Sequence, residues 1–132
     1  MPRNYQRTTN NPYLLPHNLY MRVLYLVRDY DRLSDEYFTV LNSGSSSFNS
    51  SRKASGNPSP TENKAIRLAS ISAELNAIDK ALYDIPPEYR DGVKQNVIYN
   101  SRFPINAGVA TYKRHKQRFI FNAAKYLKLF PN

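Results

Sequence analysis

Cysteine is missing from all 132 residues, which excludes a disulfide framework, a thiolate zinc site and thiol catalysis. Tryptophan is missing too, and eleven Tyr outnumber six Phe. Aromatic surface of that kind suits half-buried positions with one wet end, so a shallow core is expected. Glycine occurs only at Gly44, Gly56, Gly92 and Gly108, too scattered for a phosphate-cradling loop. Apolar stretches are short and broken by charge, so none crosses a bilayer. The opening residues Met1 to Thr8 are polar and lack the apolar segment of a secretory signal. These absences lead us to expect a soluble, cytoplasmic chain with no membrane partner. The last absence is local: Thr111 to Asn132 holds no Asp or Glu.

What is present bounds the answer further. The length fits one small domain with a modest core. Hydrophobic residues make up 41% and aromatics 13%, enough to fold. The formal net charge is +9, of which Lys113, Arg114, Lys116, Arg118, Lys125 and Lys128 supply six. Such a balance favours an acidic partner, although a basic solubility surface gives the same number.

Residues 1–15 are rich in Asn, Arg, Thr and Pro and read as a flexible N-terminal arm. Then Leu19, Val23, Leu26, Tyr30, Leu33, Tyr37 and Val40 recur at spacings of 4, 3, 4, 3, 4 and 3. That stripe predicts one helix of about seven turns. Residues 42–57 are Ser-rich and read as a disordered loop. Ser59-Pro60-Thr61-Glu62 combines a cap residue, a first-turn proline and the closing Glu of a capping box. A second helix follows to about Asp84, with Ala65, Leu68, Ile71 or Ser72, Leu75, Ile78 and Leu82 in stripe. The two long helices are expected to pair antiparallel, giving a helical hairpin over 16–84.

Ile85-Pro86-Pro87 stops that helix and starts a third, whose buried face carries Tyr89, Val93 and Val97 and which ends near Asn100. Residues 101–108 read as a turn. A fourth helix is predicted from Thr111, with Tyr112, His115, Phe119, Ala123 and Tyr126 inside. No segment alternates with period two for long enough to suggest a strand. The fold class is therefore all-α: a long antiparallel hairpin, then a C-terminal helix-turn-helix over 85–130.

Helical geometry puts Lys113, Arg114, Gln117 and Arg118 on the face opposite the apolar stripe. Arg and Lys suit guanine and Gln suits adenine in a major groove, and a helix-turn-helix sends the start of its second helix there. The cations also crowd the expected start of the helix, where the backbone dipole is already positive, so an anion is expected to offset them. Double-stranded DNA meets both demands, with Lys116, Lys125 and Arg102 placed to neutralise phosphate. A solvated basic face produces the same spacing.

Three stretches carry a family resemblance: Ser59-Pro60-Thr61-Glu62-Asn63-Lys64-Ala65-Ile66, Ile85-Pro86-Pro87-Glu88-Tyr89-Arg90, and Thr111 to Ile120 with Ala123-Ala124-Lys125-Tyr126-Leu127. Together they resemble the RinA and ArpU-like phage transcriptional regulators of Gram-positive bacteria, over roughly residues 16–130. The last third of those proteins is similar to the promoter-reading domain of sigma factors. The resemblance implies that the third helix supports and that Thr111, Lys113, Arg114, Gln117 and Arg118 meet DNA. In the expected mechanism the hairpin binds RNA polymerase or a second copy of the chain.

Catalysis finds no constellation. His17 and His115 are isolated, and His115 reads as a packing residue. Asp29, Asp31, Asp35 and Glu36 interleave with Arg28 and Arg32, as surface ion pairs do. No catalytic residue, metal ligand or cofactor is expected. The rival reading is a protein-interaction module in which the hairpin binds a partner or self-associates, through Tyr20, Tyr25 and Tyr83 taken as exposed.

Overall fold

Proline, a capping serine and one left-handed asparagine set most of the helix boundaries. The computed structural model describes residues 6–43 and 59–130; the expected loop at 42–57 lies almost wholly outside them. The described residues form five helices: α1 His17–Arg28, α2 Tyr30–Leu41, α3 Pro60–Tyr83, α4 Pro87–Tyr99 and α5 Val109–Tyr126. The described residues are thus all-α, and none of their helices is long and apolar enough to cross a membrane.

At α3 the local signals are realised in full. Ser59 Oγ accepts from the Glu62 N–H at 3.0 Å, and Glu62 Oε1 accepts from the Ser59 N–H at 3.0 Å. Pro60 occupies the first turn, and the helix ends at Tyr83 with Asp84 as its C-cap. Pro86 and Pro87 open α4, which Asn100 closes at φ 58°, a left-handed conformation that Asn tolerates better than most residues.

The single seven-turn helix expected over the first heptad stripe is instead two. Asp29 (φ −82°, ψ 6°) interrupts it; its N–H bonds both Tyr25 and Leu26 carbonyls, and Arg32 ties its carboxylate at 2.8 Å. The reason is tertiary. Helix α1 buries Tyr20, Val23, Leu24 and Val27 against α4 and α5, whereas α2 packs chiefly on α3. A straight rod cannot serve both neighbours. Tyr30 bonds Asp79 and Glu36 pairs with Arg67, so α2 and α3 run antiparallel, but α1 leaves that pair.

The centre of the molecule is α5, which contacts α1, α3 and α4. Its Tyr112, Phe119, Ile120, Ala123 and Ala124 meet Tyr20, Val23, Leu24 and Val27 of α1, Ile78 and Ala81 of α3, and Val93 and Val97 of α4 in one apolar cluster. Tyr20, expected at an exposed interface, is 1% exposed, and burial pushes its phenol up to about 12. Tyr25 and Tyr83 do face solvent.

Candidate nucleic-acid interface

Helix α5 starts after Gly108, two residues before Thr111, so its first turn, Val109-Ala110-Thr111, is uncharged. The cation run begins one turn inside. Dipole repulsion fades beyond the first turn, and the expectation that crowded N-terminal charge by itself demands an anion is corrected accordingly.

The connection from α4 is packed. Tyr112 is buried, stacks on Phe103 at 5.1 Å and meets Tyr89 edge-on at 5.5 Å, while its hydroxyl donates to Asn106. A Cβ on Gly92 would lie 2.6 Å from Tyr112 Cε1 and 2.7 Å from Pro104 Cδ. Only glycine lets α4 approach this closely. Asn96 Nδ2 donates to the Ser101 carbonyl at 2.7 Å, holding the start of the turn. His115 lies half-buried and stacks on Tyr89 at 4.6 Å. Burial lowers its pKa, Arg114 and Arg118 lower it further, and Glu88 opposes them.

The expected site residues divide. At about 100° per residue, Arg114, Arg118 and Lys125 fall within roughly 40° of one another around α5, with Thr111 beside Arg118. Arg114 Nη2 donates to Thr111 Oγ1 at 3.4 Å. Among the described residues, Arg114, Arg118 and Lys125 form no ion pair. Lys113 is exposed, about 100° from Arg114 and 140° from Arg118, and half-buried Lys116 projects from nearly the opposite side. Arg102 is exposed on the connection before α5.

Gln117 does not face outward. It is 9% exposed, and its Nε2 donates to Gln6 Oε1 at 2.9 Å and to the Tyr13 carbonyl at 2.8 Å. A side-chain amide so engaged has no donors left for adenine. The outer face assigned to Gln117 from helical spacing is thereby corrected: the chain's own arm covers it.

Residues 6–15 of that arm make contacts with the rest of the fold. Gln6 brackets Leu15, donating to its carbonyl and accepting from its N–H, both at 3.0 Å. Leu15 is buried in the core cluster. Asn11 Nδ2 donates to the Arg7 carbonyl at 2.7 Å, and Asn11 Oδ1 accepts from the Tyr13 N–H at 3.0 Å. Tyr13 meets Phe121 of α5 edge-on at 5.3 Å. Residues 1–5 of the expected arm lie outside those described.

Charge is segregated along the chain. All ten carboxylates fall between Asp29 and Asp91, leaving residues 1–28 and 92–132 without one. Folding brings those two acid-free stretches together, since α1 and the arm both pack on α5. Asp84 and Glu88 bring acid to α5 beside Tyr126 and His115. Asp84 accepts from Tyr126 Oη at 2.5 Å and from Asn122 Nδ2 at 3.2 Å; the first of these hydrogen bonds is the main reason the Tyr126 pKa is raised. Among the described residues, no group of three His, Asp or Glu side chains is disposed to hold a metal ion.

Three features escape sequence reading: the Gln6–Gln117 clasp, the Gly92 contact and the Asp84–Tyr126 pin. The overlooked signal for Gly92 is a lone glycine inside a helical stripe, which usually has a packing reason. The other two join residues far apart and leave no local mark. Comparison with protein-family models, curated proteins and solved structures finds no match.

Proposed function

We propose that this chain is a sequence-specific DNA-binding transcriptional regulator, of the phage or mobile-element kind that its sequence resembles, with α5 as the recognition helix. One observation carries the reading: Thr111, Arg114, Arg118 and Lys125 share the solvent face of a helix that contains no carboxylate. Helix α4 braces α5 through Gly92, Tyr89 and Tyr112 in a helix-turn-helix with an extended connection. Arg114 reads a base edge from the front of the ridge, and Lys113 approaches the groove beside it. Arg118, Lys125 and Arg102 neutralise phosphate, and Lys116, on the opposite side of α5, is left out of that set. Gln117 takes no part in readout. The α2–α3 pair is left to meet RNA polymerase or a second copy.

The test is fluorescence anisotropy with duplex DNA at two salt concentrations, repeated with Lys113, Arg114 and Arg118 all changed to Ala. Steeply salt-sensitive binding that the triple variant loses is the expected result. After selection of a preferred site, Arg114→Ala removes the preference and Lys125→Ala weakens all sequences alike. Identical behaviour of those two variants would count against direct readout, and no binding at low salt would end the DNA reading.

A second reading has its own observation. Phe38, Leu41 and Ile66 are 57%, 43% and 63% exposed, an apolar group on the α2–α3 pair that suits a protein partner. Docking there is insensitive to salt, which separates it from phosphate contact.

A further inference from the structure

The arm of residues 6–15 lies against the ridge itself. Phe121 belongs to the same helical row as Arg114, Arg118 and Lys125, within about 60° of each, and Tyr13 caps it at 5.3 Å. Gln117, one turn after Arg114 on the adjoining flank, holds Gln6 and the Tyr13 carbonyl. Arg7 therefore follows immediately on a residue bonded to α5, and its own side chain is exposed. Between Gln6 and Leu15 the chain is braced by Asn11, leaving Arg7, Thr8, Thr9 and Asn10 exposed on a short loop. That segment is also part of the acid-free stretch 1–28, so no carboxylate of its own opposes an anion.

We infer that the N-terminal arm is a built part of the DNA interface: the Gln6–Gln117 clasp seats it beside the α5 ridge so that Arg7 adds a phosphate contact next to those of Arg118 and Lys125. This rests on the DNA reading of α5. The clasp orders the arm before DNA arrives, so the ordering entropy is not charged against binding. Arg7 is a contact residue, and Gln6 is a positioning residue.

The experiment measures duplex affinity of the full chain by anisotropy across a salt series, for the unaltered protein and for Arg7→Ala, Arg7→Lys, Gln6→Ala and, as a control on α3, Lys64→Ala. Each phosphate contact contributes about 0.9 to the slope of log affinity against log salt. Arg7→Ala is expected to lower the slope by about that amount, while Arg7→Lys and Lys64→Ala keep it. Gln6→Ala, which retains every charge, is expected to keep the slope while affinity falls roughly fivefold to tenfold, as the freed arm must be ordered on binding. An unchanged slope in Arg7→Ala overturns the contact even though DNA is bound. Undiminished affinity in Gln6→Ala overturns the role of the clasp. Absence of binding by the unaltered protein overturns the DNA reading and this inference with it.

Discussion

Helix α5 with its arm and the α2–α3 pair use charge in opposite ways. On α2 and α3 the charges are matched: Asp29 and Glu36 both hold Arg32, Glu36 also takes Arg67, and Asp31 accepts from Tyr99 Oη at 3.0 Å. Burial on α2 is thin, with Leu33 its only buried residue. On α5 the inner side is largely apolar and packed, while among the described residues Arg114, Arg118 and Lys125 form no ion pair. Matched surface charges contribute little to the fold, because solvent screens them. Unmatched ones of a single sign oppose folding slightly and make sense as the complement of something else. The difference teaches where to look for a ligand.

Truncation should separate the two regions most sharply. Phe119→Ala empties a site that is 0% exposed at the middle of α5 and is expected to cost about 3–5 kcal/mol, read as a lower urea midpoint. Gly92→Ala forces Tyr112 and Pro104 apart at the α4 crossing and should cost about 1–3 kcal/mol, measured by thermal unfolding. On the α2–α3 side, Ser59→Ala removes one half of the capping box, with an expected loss of about 1 kcal/mol in the same assay. Equal losses for Ser59→Ala and Phe119→Ala would erase the contrast.

The smallest effect is one of pH. The folded state lowers the pKa of His115, first through burial and then through Arg114 and Arg118. Its imidazole is therefore neutral in the fold at pH 7, and the unfolded chain takes up the proton first as pH falls through its ordinary value near 6.5. Stability contributed by the neutral form is present above that value and is lost as pH falls toward the lower folded value. His115→Gln should flatten this slope in unfolding free energy between pH 7 and 5. A slope that persists in the variant would place the titration elsewhere.

Reading from sequence succeeded where the cause was local. The cap at Ser59 is decided within four residues, and Pro86 and Pro87 impose their breaks whatever surrounds them. The heptad stripe over 19–40 located helical residues but hid the break at Asp29, because periodicity is blind to a change of packing partner. On α5, a glutamine facing solvent and one held by Gln6 look alike in a helical wheel. Taking Tyr20 as exposed failed for a related reason: the stripe drawn through Leu19, Val23 and Leu26 runs along one edge of the face that α4 and α5 cover, which Tyr20, Val23, Leu24 and Val27 share.

By itself, the sequence determined that the described chain is helical, where three of its helices start or stop, and that its positive charge gathers away from the only carboxylates. Those properties follow from dihedral limits, capping geometry and composition, each of which acts within a few residues. The tertiary structure alone decided that Gln117 turns inward and that residues 6–15 are tied to α5 at Gln117 and Phe121. The Gln6–Gln117 bond spans 111 positions, and a hydrogen bond between such distant residues exists only after the core has brought them together.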